Sequence, residues 1–187
     1  MGAVILPATA ERWSDIGPVY GPRERDADSC WCQRFREPSG GSAREALHHE
    51  VTTAEVAIGL IAYVDDRPVG WSRVVPRNTL AGIERNRAIQ RIVEPDDAAW
   101  WVTCFVVRRE HRGEGLGLQL LRAATDWARE HGASVLDGHP VDVDALQSTP
   151  AASAVFTGTL PMFHAAGFTE IGRTYPSRPV MRLTFGK

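Results

Sequence analysis

Lysine is all but missing from this chain: of its 21 basic residues, only Lys187 is a lysine. A Walker-type phosphate loop needs Gly-Lys-Ser/Thr at a helix start, so that class of nucleotide site is excluded. Cysteine is also scarce. The three present (Cys30, Cys32, Cys104) are an odd number, which argues against the disulfide framework of a small secreted protein. No apolar run reaches the ~18 residues that would span a bilayer. The stretch Met1 to Pro7 has no basic lead, no long apolar segment and no myristoylation pattern, so a cytoplasmic protein is expected. Charge of either sign is not in excess: 21 basic against 23 acidic side chains leave a net charge of −2, and neither nucleic acid nor membrane is expected as a partner. Repeats and low-complexity tracts are absent. What remains is a chain of 187 residues, 43% hydrophobic and 24% charged, sized for one domain over 1–187 with a proper core.

The most informative stretch runs from Trp100 to Glu130. Trp100 to Val107 is short, β-branched and aromatic, and ends in charge, as a buried strand does. From Gly117 onward Leu118, Leu121, Ala124, Thr125 and Ala128 recur at three- and four-residue steps, which predicts an amphipathic helix. Between them lies Arg112-Gly113-Glu114-Gly115-Leu116-Gly117. Alternating glycines let several amide N–H groups point at one anion, and the helix N-terminus adds its own free N–H groups and dipole. The turn therefore reads as a diphosphate cradle. Its G-x-G-x-G spacing, with an arginine in front, does not fit the G-x-G-x-x-G of dinucleotide-binding folds.

The rest of the chain supplies further elements. Ala3 to Leu6 reads as a first strand, and Glu11 to Tyr20 as a helix broken at Gly17-Pro18. Ser42 and Glu45 form a capping box for a helix through about Val51. Ile58 to Val64 and Val69 to Val75 read as a hairpin turning at Asp65-Asp66-Arg67-Pro68. Leu80 to Gln90 is a polar helix candidate, either a lid over an acceptor site or a solvated surface helix. Ser134 to Leu136, Phe168 to Gly172 and Pro179 to Phe185 complete the strands, with a long helix over Gly158 to Ala166. Cys30 and Cys32 could share a metal with His48 and His49, but the spacing is not the usual Cys-x-x-Cys. Buried thiols flanking a core tryptophan are the default, and no metal is expected.

Arg112, Gly115 and Gly117 match the pattern Arg/Gln-x-x-Gly-x-Gly/Ala, with Val107 five residues ahead and Leu120-Leu121 behind. Met162-Phe163-His164-Ala165-Ala166-Gly167-Phe168 is similar to the Y-x-K-x-G-F segment of the same family. Together they resemble the acetyl-CoA site of GNAT-superfamily N-acetyltransferases, over roughly Ile58 to Phe185. The resemblance implies an α/β fold: a mixed, twisted, seven-stranded sheet whose parallel fourth and fifth strands splay apart, with helices on both faces. It implies acetyl-CoA as cosubstrate, with pantetheine pairing to unpaired backbone groups of Phe105, Val106 and Val107. The diphosphate would lie on amides of Gly113, Glu114, Gly115, Leu116, Gly117 and Leu118, beside Arg112. The acceptor would be a small-molecule amine or free amino group attacking the thioester directly. Family members often pair, so a homodimer is the oligomer to look for.

The sequence departs from the family at the chemistry. Register from Gly167 puts Phe163 where a tyrosine usually protonates the leaving thiolate, and Phe156 where an asparagine often stands. Thr103 and Cys104 occupy the positions of a common fourth-strand carboxylate. Water could protonate the thiolate, or another group could serve: Cys104, His139 or Asp142 are the catalytic candidates, with His164 a further one. A non-catalytic acyl-CoA-binding module is the alternative that Phe163 motivates. Asp142 and Asp144, or Glu94, Asp96 and Asp97, could draw in a cationic amine. Trp31, Trp71 and Trp101 could instead wall an apolar or aromatic acceptor, with Trp100 and Phe35 beside them.

Overall fold

The computed structural model describes residues 2–27, 30–37 and 40–186. Seven strands, β1 (Val4–Pro7), β2 (Gly59–Val64), β3 (Arg67–Pro76), β4 (Ala99–Val107), β5 (Val135–Gly138), β6 (Thr169–Tyr175) and β7 (Arg178–Thr184), join in one sheet. Their order is β1-β2-β3-β4-β5-β7-β6. β4 and β5 run parallel, and every other neighbouring pair is antiparallel. Among the described residues six α-helices accompany the sheet: α1 (Trp13–Tyr20), α2 (Ala43–Thr53), α3 (Ala81–Glu84), α4 (Arg87–Gln90), α5 (Leu116–Glu130) and α6 (Leu160–Ala165). This is the mixed seven-stranded architecture expected from the sequence. Among the described residues, no helix is long and apolar enough to cross a membrane.

The hairpin joining β2 to β3 is tighter than its composition suggested. Asp65 and Asp66 both take positive φ, 49° and 59°, so the turn needs only these two residues, and Arg67 and Pro68 already belong to β3. Such a left-handed pair matches the twist of the flanking strands. The capping box of α2 is present as read: the Ser42 hydroxyl accepts from the Glu45 amide at 3.2 Å, and the Glu45 carboxylate accepts from the Ser42 amide at 2.9 Å.

One irregularity decides which side chains face which layer. Arg73 pairs with Cys104 but Val74 pairs with Val102, leaving Thr103 as an extra residue in β4. Trp100 and Val102 lie on the face covered by α5, and the extra residue brings Phe105 onto that same face. Trp101 and Cys104 fall on the other. A bulge of this kind advances the two-residue alternation by one step. On the first face α5 buries Leu116, Leu120, Leu121, Ala124, Thr125 and Ala128. On the second, α1 and α2 pack with Trp31, Ile61 and Trp71.

Three elements differ from the sequence reading. α1 continues through Gly17 and Pro18 to Tyr20, because Ile16, Gly17, Val19 and Tyr20 are buried and packing outweighs local propensity. The segment around Leu80 to Gln90 is neither a lid nor a solvated helix. It forms α3 and α4, whose Ile83 and Ile89, with Leu80, are fully buried together with Trp101 and Val180. The final helix is short: α6 has six residues, because Gly158, at φ 87°, and Pro161 hold its start at Leu160.

Candidate active site

β4 and β5 pair only through Ala99–Val102 and Val135–Gly138, and beyond Val102 they have no ladder between them. A cleft of about 1260 Å³ opens there, walled by the end of β4, the turn into α5, the end of α1 and the segment from Ser153 to Thr159. That exceeds the ~300 to 1000 Å³ of an ordinary small-molecule pocket, and is room for an elongated ligand and a second one.

At one end the walls are backbone. Gly113 and Gly115 sit at φ 81° and 78°, in the left-handed region where a side chain is strained, and Gly115 caps α5. Among the described residues, no acceptor takes the amides of Gly113 through Leu118. Six neighbouring donors at the start of a fifteen-residue helix suit a diphosphate, and the residues present therefore fit the phosphate portion of CoA. The Arg112 guanidinium is anchored by Nε donating to the Val107 carbonyl at 3.0 Å, and its remaining donors are free to face the same anion. Glu114 contributes only its backbone, since its carboxylate turns aside to His111 Nδ1 at 3.2 Å. Leu116, Gly117 and Leu118 line the cleft, and a Cβ on Gly117 would lie 3.0 Å from Met162 Sδ, so the helix start and α6 are closely apposed.

The middle of the cleft corrects an expectation. Phe105, Val106 and Val107 do line it, but their backbone groups are not all unpaired. The Phe105 amide donates to the Phe156 carbonyl at 2.6 Å, and the Val107 carbonyl is held by Arg112. A largely buried amide must find a partner, and with β5 gone the segment after Val155 supplies it. A ligand pairing with this strand must take the Phe105 donor from Phe156.

The catalytic candidates do not converge in the cleft. Cys104 is 1% exposed, on the sheet face away from α5, against Cys32. Burial raises its pKa, but the neighbouring Cys32 and Thr103 side chains and the charge of Arg73 outweigh that and leave it below the ordinary thiol value. Cys32 is correspondingly pushed well up by burial and by Cys104. His139 is buried, with Nε2 2.8 Å from Thr174 Oγ1, and burial together with the charge of Arg178 lowers its pKa to about 4. Asp142 is tied to Arg173 at 2.7 Å, and this bond lowers its pKa. None of the three lines the cleft.

The tryptophan wall is core. Trp31, Trp71 and Trp101 are fully buried and absent from the cleft lining. Trp31 gives its indole N–H to the Asp26 carbonyl at 2.9 Å and stacks on Tyr20 at 4.5 Å. Nor do carboxylates surround an incoming amine: the lining holds Arg23, Arg34, Arg108, Arg109 and Arg112 against a single acid, Glu110, which pairs with Arg108 at 2.6 Å. Cys30 faces the cleft, Cys32 the core, and His48 and His49 are exposed on α2, so these four do not gather round a metal.

Among the lining residues that the sequence reading did not single out are Tyr20 and Arg34. Tyr20 stands at the end of α1, its hydroxyl 3.4 Å from Cys32 Sγ, and burial raises its pKa well above the usual phenol value, so it keeps its proton. Phe163, in the place of the family tyrosine, is fully enclosed, edge-on to Phe168 at 4.9 Å and to Phe105 at 6.4 Å. The signal for Tyr20 was the helical spacing of Ile16 and Tyr20, which places both on the buried side of α1.

Known proteins agree with this geometry. The GNAT domain of S. lividans PAT superposes with a TM-score of 0.60 at 17% identity, covering 98% of this chain and 90% of that one. The yncA protein of Salmonella typhimurium, solved with its cofactor acetyl-CoA, gives 0.58 at 16% identity, covering 100% and 96%. Diaminobutyrate acetyltransferase EctA from Paenibacillus lautus, solved with its substrate and coenzyme A, gives 0.54 at 12% identity, covering 99% and 97%. At such identities these likenesses concern the fold. A search of curated proteins returned no match. The acetyltransferase (GNAT) family itself matches over residues 19–148, well over half of the sequence, and this chain belongs to that family of acetyl-CoA-dependent N-acetyltransferases.

Proposed function

We propose that this protein acetylates a primary amine, on a small molecule or a free amino group, by direct attack of the amine on the acetyl thioester. The observation that carries the reading is the row of acceptorless amides from Gly113 to Leu118, set at a helix start beside the gap between β4 and β5. Acetyl-CoA would supply the activated acetyl group and a thiolate leaving group. The chain's own residues have three tasks. The amides and Arg112 hold the diphosphate and so fix the distance to the reacting end. The Phe105 N–H, once released by the Phe156 carbonyl, is a donor aimed into the cleft, where it can polarise a carbonyl. Tyr20 is the only tyrosine among the described residues of the cleft wall and keeps its proton; to serve as donor for a departing thiolate its hydroxyl would turn from Cys32 toward the cleft. Cys104, His139 and Asp142 have no part in this scheme. An acetyl-CoA consumer of this kind goes with a cytoplasmic location.

The test is thiol release from acetyl-CoA with a panel of amines covering amino acids, polyamines, amino sugars and peptides with free N-termini. At least one class should release thiol faster than the protein-free control. Silence across the panel, together with a rise in Tm on adding acetyl-CoA, would leave a binding module instead of an enzyme.

A further inference from the structure

The segment from Asp142 to Thr157, between β5 and α6, is fixed at its ends and loosely held in between. At the ends, the Val141 amide donates to the Gly158 carbonyl at 3.0 Å and the Leu160 amide to the Val141 carbonyl at 2.8 Å, which keeps the two stems side by side. Arg173 of β6, 2.7 Å from the Asp142 carboxylate, and Arg178 of β7, whose Nη1 donates to the Thr157 hydroxyl at 3.1 Å, pin the same two points. A loop whose ends meet in this way can move without disturbing what it joins. Inside it, hydrogen bonds run between near neighbours, as from the Ala145 amide to the Asp142 carbonyl and from the Ala154 amide to the Ala151 carbonyl. Among the described residues, one hydrogen bond ties 143–156 to a distant part of the chain, that from the Phe105 amide to the Phe156 carbonyl.

Phe156 is also where the segment packs. Its ring rests against the apolar cluster that holds Trp31, Cys32 and Trp71, with the Arg34 guanidinium carbon 5.6 Å from its centroid, and Ser153 and Val155 beside it line the cleft. Most of the residues before it are exposed. A loop held at one residue opens at a small cost compared with the sheet or α5, because few buried contacts are lost. Its tether is the amide that a ligand pairing with the end of β4 requires, so segment and ligand compete for one donor.

We infer that Asp142 to Thr157 form a strap displaced by the cosubstrate: Phe156 closes the β4 end of the cleft until acetyl-CoA takes the Phe105 amide, which frees the segment between its pinned ends. This inference rests on the acetyltransferase reading above and adds a coupling to it. The wall that Phe156 and Arg34 present to an acceptor changes once the cosubstrate is in place. A closed strap lowers the apparent affinity for acetyl-CoA by the fraction of molecules that are open. Loosening the strap therefore tightens binding, and by reciprocity binding loosens the strap.

The experiment reads the strap and the affinity separately, with acetyl-CoA as the probe and no acceptor present. Chymotrypsin, which cuts after Leu146 and Phe156, should cleave the segment several-fold faster when acetyl-CoA is bound, with the cut sites identified by mass; a bound ligand ordinarily slows proteolysis. Phe156→Ala keeps a carbonyl at this position and removes the ring. Its segment should be cut at Leu146 as fast without acetyl-CoA as that of the unsubstituted protein is with it, and its Kd for acetyl-CoA, by isothermal titration, should be about 3- to 10-fold lower. Phe156→Leu should fall between, and it decides alone if the alanine variant does not fold. Slower or unchanged cleavage on adding acetyl-CoA, or a Kd that the substitutions do not lower, overturns the strap and leaves the acetyltransferase reading to the amine panel. Faster cleavage and tighter binding with no amine acetylated uphold the strap and overturn the enzyme. If acetyl-CoA binds neither the unsubstituted protein nor either variant, both fall.

Discussion

The two ends of the cleft are built from different materials. At one, six consecutive residues from Gly113 to Leu118 present backbone amides. At the other, the ligand-facing groups are side chains brought in from separate stretches: Tyr20 at the end of α1, Arg34 between α1 and α2, and Phe156 before α6. The first end depends on what the backbone can do, so it tolerates changes of side chain so long as the glycine angles survive. The second depends on which side chains arrive, so it can change its ligand without disturbing the sheet. This division suits an enzyme whose cosubstrate is fixed and whose acceptor is not.

The comparison can be broken at either end. The largest effect is expected for Gly115→Val. A β-branched side chain at φ 78° is strongly disfavoured, and the turn must rearrange its amides. The rise in Tm on adding acetyl-CoA should vanish, as read by thermal unfolding with and without the ligand, and an undiminished rise would mean that the diphosphate binds elsewhere. Next comes Tyr20→Phe, which removes one proton and little volume. A general acid is worth ~10² to 10⁴ in rate. We expect kcat to fall by about 100-fold while the acetyl-CoA Tm shift stays as it was; an unchanged kcat would assign thiolate protonation to water. The smallest effect should come from Cys104→Ala, which lies behind the sheet from α5. Its kcat should stay within about twofold, with the urea midpoint reporting a loss of about 1 kcal/mol for a small cavity. A hundredfold fall in kcat would return Cys104 to the catalytic machinery.

The sequence was most readable where function is carried by neighbours in the chain. The strand into Val107, the glycine turn and the apolar stripe of α5 are one continuous stretch, so spacing alone locates them, and the capping box at Ser42 and Glu45 was legible for the same reason. The acceptor end was not legible, because its members meet only through the tertiary fold. Tyr20 reaches the cleft because α1 runs on through Gly17-Pro18, where local propensity argued for a break. Aromatic content could not distinguish wall from core: Trp31 and Trp71 lie under the first two helices, and Trp101 lies under the two short ones. Asp142 and His139 stood in suggestive places beyond the fifth strand. The fold instead buries His139 beside Thr174, ties Asp142 to Arg173, and leaves both out of the cleft lining.

Thr103 deserves a last consequence. Because this single surplus residue sets which side chains beyond it point up or down, losing or gaining one residue between Val102 and Val107 would exchange Phe105 with Cys104 in layer and turn the amide now given to Phe156 toward β3. Length variation in this strand is therefore quantised: two-residue changes keep the orientation of the downstream segment, and one-residue changes invert it, whatever amino acids are involved.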